Sequence, residues 1–349
     1  MTYEQIRHRV PEGIPKKIKK VRPIGPKNAV IFSLVVMALF VVIGSLIQLA
    51  LGMVGVMITE LFFLIASILY VRRRGVPLKD VFPIKKPKVS AIFGTLILWG
   101  GAYILMILSN LVMLVFFPEI PANADAETIM SADLSWLFLF IIVAVLPPIC
   151  EEAMHRGVIQ YGFRQKISNP WVMAFVIGLI FGIFHLDPSK FLATGLLGGV
   201  MAWILHRSGN MVYSSLFHFV HNGAQMVLLL FIPALAFTPG TLIVPGTAMA
   251  EGILKLATVP FAAEVSITVS GAAMQAIGAG ITMAFLGAIL PFVLYTGDWL
   301  LMLKIAPRRH AFLPEEKNMR KSLLKKLFGS AAVFVVAGGL LAVFGVAIA

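Results

Sequence analysis

Six polar residues stand in the apolar middle of this 349-residue chain at spacings that could assemble a hydrolytic site: Glu151, Glu152, Arg156, His185, His218 and Asn222. The first three belong to Glu151-Glu152-Ala153-Met154-His155-Arg156. On a helix, Glu152 and Arg156 are four residues apart, so they share a face and can pair. Glu151 points about 100° away from that face and is left for chemistry. Partial burial would suit it to the work of a general base. His185 ends Phe181-Gly182-Ile183-Phe184-His185, and His218 stands one helical turn before Asn222. An imidazole and a carboxamide on one face can both donate hydrogen bonds to a developing oxyanion. His155 and His221 lie off these faces and receive no role. Each piece alone has a plainer explanation: solvated charge at a helix end, a hydrogen-bonded core histidine, or a polar pair holding helices together. Jointly, a carboxylate base, two imidazoles and an amide donor suit activation of water and attack on a peptide carbonyl.

The elements that must carry these residues are membrane spans. The chain is 59% hydrophobic and 13% charged, where a soluble domain holds about 25% charged residues. An ionisable group at the centre of a span costs roughly 2.5–3.5 kcal/mol, so its presence there points to function. The net charge of +13 would suggest nucleic acid in a soluble protein, but 23 of the 29 Lys and Arg residues fall in 1–28, 72–88 and 304–326, beside apolar runs. That is the positive-inside pattern, so no nucleic-acid partner is expected. The single cysteine, Cys150, excludes an intrachain disulfide framework and a multi-cysteine zinc site. The first 28 residues are basic and proline-rich without an apolar core, so no cleavable signal is expected.

Runs of about 20 apolar residues are needed to cross the hydrocarbon core. Candidates lie at 29–48, 54–71, 89–117, 134–150, 171–186, 190–206, 211–232, 276–302 and 327–348. The expected fold is all-α: a polytopic transmembrane helix bundle of about nine spans (eight to ten), with a central cavity open towards the cytoplasm. The N-terminus would be cytoplasmic, the acidic loop 118–133 outside, and the protein a multi-pass protein of the cell membrane. Spans 171–186 and 190–206 would cover only about 24 and 26 Å. The turn Leu186-Asp187-Pro188-Ser189-Lys190 between them would then lie below the surface and line a cavity. Five regions follow: a basic cytoplasmic segment 1–28, N-terminal helices and outer loop 29–133, a catalytic helical core 134–232, an irregular outer or interfacial segment 233–275, and C-terminal helices with a basic loop 276–349. No internal repeat favours a transporter with inverted halves.

Glu151-Glu152-x-x-x-Arg156, Phe181-x-x-x-His185 and His218-x-x-x-Asn222, in that order on hydrophobic helices, resemble the CAAX-protease and bacteriocin-processing (CPBP, or Abi) family of intramembrane proteases. The similarity covers about 134–232, and no motif position departs from the pattern. The resemblance implies that Glu151 and His185 polarise the attacking water and that His218 and Asn222 stabilise the oxyanion. Glu152 and Arg156 would be supporting. It implies a peptide or lipidated-protein substrate, of prenyl-type or bacteriocin-like character, presented from the bilayer. Members are commonly labelled metalloproteases, although a metal-free glutamate mechanism has been argued for the eukaryotic relative. Zinc wants three protein ligands plus water, and His-Glu-x-x-His is absent, which favours the metal-free route. Glu151, His185 and His218 are the candidate ligands if zinc is used. A non-catalytic immunity protein that binds a peptide is the alternative, and a transporter a more distant one.

Overall fold

The computed structural model describes residues 21–117, 129, 132–231, 271–303 and 314–347, and every regular element among them is helical. Each of the nine apolar segments expected from the sequence holds one helix. These are α1 Pro26–Leu51, α2 Met53–Arg74 and α3 Val89–Phe116, then α4 Trp136–Arg164, α5 Pro170–Phe184 and α6 Pro188–Ser208, then α7 Met211–Phe231, α8 Gly271–Met302 and α9 Pro314–Ala347. Seven of them are long and apolar enough to cross a membrane; α5 is apolar but shorter, and α7 is a 21-residue helix carrying His218, His221 and Asn222. Segment 233–275 falls almost wholly outside the described residues, as do residues 1–20 and most of the acidic loop.

Local chemistry sets the helix ends. Proline opens α1, α5 and α6, where its missing N–H costs nothing and its fixed φ suits a first turn. The Asn169 side chain accepts from the N–H groups of Trp171 and Val172, and Asp187 accepts from Ser189. Gly52, at φ +54, reverses α1 into α2 with almost no loop between them. Gly75 and Gly209, at φ +71 and +60, end α2 and α6 in the left-handed conformation just after basic residues that complement the helix dipole.

Two expectations change. The segment expected to end at residue 150 runs on to Arg164, so the Glu151-Glu152 pair lies inside a helix rather than at its mouth. It continues by widening into π-helical turns at Ile141–Val145 and Ala153–Ile159, on either side of the glutamates. Such turns are rare and gather at functional sites. The span expected at 190–206 is also longer, because Asp187 caps it and Pro188 starts it. Its 21 residues rise about 31 Å. Only α5 is short, its 15 residues rising about 22 Å.

Small residues bring α5 and α6 together. A Cβ at Gly178 would collide with the Gly195 carbonyl, and one at Gly182 with the Phe191 carbonyl. Close backbone approach through glycine is how helices gain packing where lipid removes the hydrophobic drive between them. Tryptophan and arginine near the end of α6 lock it to α8: Trp203 Nε1 donates to Asp298 at 3.0 Å, and the Arg207 fork grips the same carboxylate at 3.1 and 3.0 Å. Large apolar side chains such as Leu34, Leu49, Phe175, Val333 and Leu340 point outward, as a lipid-facing surface requires.

The α5–α6 turn contains the one non-glycine residue with positive φ among the described residues, Leu186 at +54°. It directly follows His185 and is half exposed. Left-handed backbone costs an L-residue roughly 1–2 kcal/mol, which glycine does not incur. Leu186→Gly is therefore expected to leave thermal stability in detergent unchanged or raised by up to about 1 kcal/mol, whereas Leu186→Val should lower it. Equal stability of the two variants would contradict the assigned turn.

Candidate active site

Four helices, α4, α5, α6 and α7, converge on Phe181 of α5. The Arg156 guanidinium stands 4.5 Å from its ring centre, the imidazoles of His155 and His185 4.9 Å each, and that of His218 5.9 Å. The phenylalanine of the Phe-x-x-x-His spacing is thus a surface against which the polar residues are set. A cation over an aromatic face is favourable, and more so away from water.

Arg156 is 1% exposed and Glu152 fully buried, with their charged ends 3.1 Å apart. The pairing expected from their spacing is present. Arg156 also donates to the Gly198 carbonyl of α6 at 3.0 Å, and Gln160, one turn on, donates to Ala202 at 2.9 Å. Gly198 has to be glycine for this approach, since a Cβ there would strike Phe181. One face of α4 is therefore stapled to the α6 backbone by two buried side chains.

His218 joins the two glutamates. Its Nδ1 donates to Glu152 Oε1 at 3.3 Å, while its Nε2 stands 3.9 Å from Glu151 Oε2. Glu152 also lies within hydrogen-bonding reach of Ser214, one turn before His218 on α7. Glu152 thus orients the histidine, and Glu151 keeps residual exposure of 16% against 1% for its neighbour. Glu152 is thus the carboxylate paired with Arg156, and Glu151 the more exposed of the two.

Asn222 is placed by a backbone defect. Pro147 and Pro148 lack N–H groups, so carbonyls one turn earlier in α4 lose their helical donors. The Asn222 amide donates to one of these, Val143, at 2.9 Å. One amide hydrogen is committed there, and the carboxamide has a second to offer. The register of α7 is fixed from its other end. Asn210 exchanges two hydrogen bonds with the Lys85 backbone, at 3.0 and 3.1 Å, and the Tyr213 hydroxyl accepts from the Lys88 N–H at 2.7 Å.

His185 Nδ1 donates to its own helix at the Phe181 carbonyl, 2.9 Å away, which in the neutral ring leaves Nε2 as the bare nitrogen. The structure gives no hydrogen bond or ion pair between His185 and Glu151. His155 Nδ1 donates to the Glu151 carbonyl at 3.1 Å, and its Nε2 is buried without a partner. His221 pairs with Gln225 and lies beside Tyr103. Both lie beside the candidate site.

One residue was missed by the sequence reasoning. Glu60 of α2 is 6% exposed, and its carboxyl lies within hydrogen-bonding reach of Glu151. The signal was present: a single acid in the apolar run Met53–Tyr70. It was overlooked because it belongs to no motif. As for a metal, no group of three His, Cys, Asp or Glu among the described residues converges to hold one.

Removing Arg156 would strand a buried carboxylate, a loss that costs about 3–5 kcal/mol in comparable pairs. Arg156→Met should therefore unfold the protein at markedly lower temperature in detergent, Glu152→Gln less so. The double variant should recover part of the loss, as a double-mutant cycle would read. Additive effects would show that the pair does not act as a unit.

No curated protein and no solved structure matches the chain. Residues 133–224 match the sequence model of the family described as type II CAAX prenyl endopeptidase Rce1-like. That interval starts just before α4 and ends two residues beyond Asn222, so it covers the converging helices and leaves Glu60 outside. Over that interval, about a quarter of its length, the chain is similar to the Rce1-like family, a similarity consistent with a CPBP-type protease.

Proposed function

We propose that this protein is an intramembrane endopeptidase that hydrolyses a peptide bond with water activated by Glu151 and His185. Glu151 takes a proton from water as the water oxygen bonds to the carbonyl carbon of the scissile bond. His218, doubly protonated so that Nδ1–H stays on Glu152 while Nε2–H is offered to substrate, and the second amide hydrogen of Asn222 donate to the oxygen on which negative charge develops. Collapse of that intermediate breaks the C–N bond and returns the proton to the departing amine. Arg156 and Glu152 hold His218 in place and do not themselves react.

The observation that carries this reading is the position of His218 between the two glutamates, with Asn222 one turn further along the same helix. A solvated helix end would not bury such a set, and a pair serving only as glue between helices would not leave Glu151 as its most exposed acid. The Rce1-like match supports peptide hydrolysis as the reaction class. The substrate is proposed to be a peptide or lipidated protein with a C-terminal prenyl-type or bacteriocin-like character. It would enter from the bilayer into a cavity open to the cytoplasm, in a cell-membrane protein whose basic N-terminus is cytoplasmic. The proposed route is metal-free, supported by donors that do not converge on a metal position.

Glu151→Gln and His185→Ala should each abolish cleavage of a prenylated reporter peptide, with expression and unfolding temperature unchanged. Retained cleavage in either variant would refute the assignment. Metal analysis of the purified protein, with activity measured in the presence and absence of a chelator, should find no stoichiometric metal and no loss of rate. One equivalent of zinc lost together with activity would replace the metal-free route.

A further inference from the structure

Glu60 is the strongest feature that the motifs do not absorb. It comes from α2, a helix outside the matched interval, and points at the proposed base. Glu60 Oε2 and Glu151 Oε2 are both buried without a hydrogen-bond donor, His218 Nε2 being 3.9 Å from the latter. Two ionised carboxylates in contact inside an apolar bundle repel each other, and neither has a hydrogen to donate. A single hydrogen between them removes the repulsion and gives both oxygens a partner. The other titratable group set beside both carboxyls is the buried Cys150, while His218 stands across Glu151. Neither reaches Glu60 to supply that hydrogen bond.

We propose that Glu60 is a positioning residue which, as a neutral carboxylic acid, donates a hydrogen bond to Glu151 and aims its carboxylate at the attacking water. This deepens the reading of Glu151 as the base and rests on it. The geometry explains why a helix remote in sequence takes part. Glu151 projects off the Arg156 face of α4, so its orientation has to be fixed by another helix, and Glu60 of α2 provides a polar group within its reach. Gln48 helps to hold that stretch of α2, donating to the neighbouring Thr59 hydroxyl at 2.8 Å.

The test compares two substitutions in the full-length protein. Glu60→Gln keeps a neutral donor of nearly the same shape, and Glu60→Leu removes it. Misaiming a reacting group costs on the order of 100-fold in rate, so E60L should lower kcat by at least tenfold with little change in KM, while E60Q stays within about fivefold of wild type. Infrared spectra at neutral pH should show a carboxylic-acid carbonyl band in wild type that is lost in E60Q. This readout needs no turnover and stands even if E60L fails to fold. An absent band, a band that persists in E60Q, or full kcat in E60L overturns the proposal. Loss of cleavage in E60Q would make Glu60 a reacting group and overturn it as well. A wild-type protein that cuts no peptide but shows the band would instead refute the proposed function and leave the shared hydrogen intact.

Discussion

The arrangement depends on a buried charge that must be answered. Arg156 sits in the middle of four helices with almost no access to water, and burying a guanidinium is tolerable only beside a countercharge. Glu152 supplies the countercharge, Gly198 a carbonyl and Phe181 an aromatic face. These partners come from α4, α6 and α5, so answering one charge fixes three helices relative to each other. His218 then attaches α7 to the same carboxylate. Such a centre is a poor source of net stability compared with well-packed apolar side chains, but it allows few alternative packings. In a membrane, where apolar helices can slide past one another at little cost, that selectivity matters more than the energy.

Much of this was legible from the residues, because the membrane makes the code simple. Apolar length gave the helices, and four-residue spacing gave the Glu152–Arg156 contact. The shared face of His218 and Asn222 was legible on the same ground. What could not be read was anything that depends on departures from an ideal α-helix. The π-helical turns on both sides of Glu151 and Glu152 carry α4 past the point where the polar run appeared to end it. The α6 span was underestimated because Asp187 and Pro188 look like turn residues, and they are, but they also cap and open the helix.

Glu60 shows a different limit. Periodicity relates residues on one helix, and an ordered motif relates helices close in sequence. Neither relates α2 to α4, which are brought together only by packing. Phe63, one turn beyond Glu60, stacks edge-on against Phe184 of α5 at 6.4 Å, so the same face of α2 that presents the acid packs against the converging helices. The N-terminal helices are thus packed onto the interval that matches the family model, although the match begins beyond them.

The double proline of α4 has a consequence for how this core can vary. By leaving the Val143 carbonyl without a helical donor, Pro147 and Pro148 create a vacancy in the backbone of one helix that only a side chain from another can fill. Asn222, 79 positions away from Val143, is that side chain. The missing hydrogen at one place and the amide at the other are halves of one device. A replacement at position 147 that restored an N–H would compete for the same carbonyl and release the amide from its anchor. The orientation of an amide on one helix is therefore set by a proline pair on another.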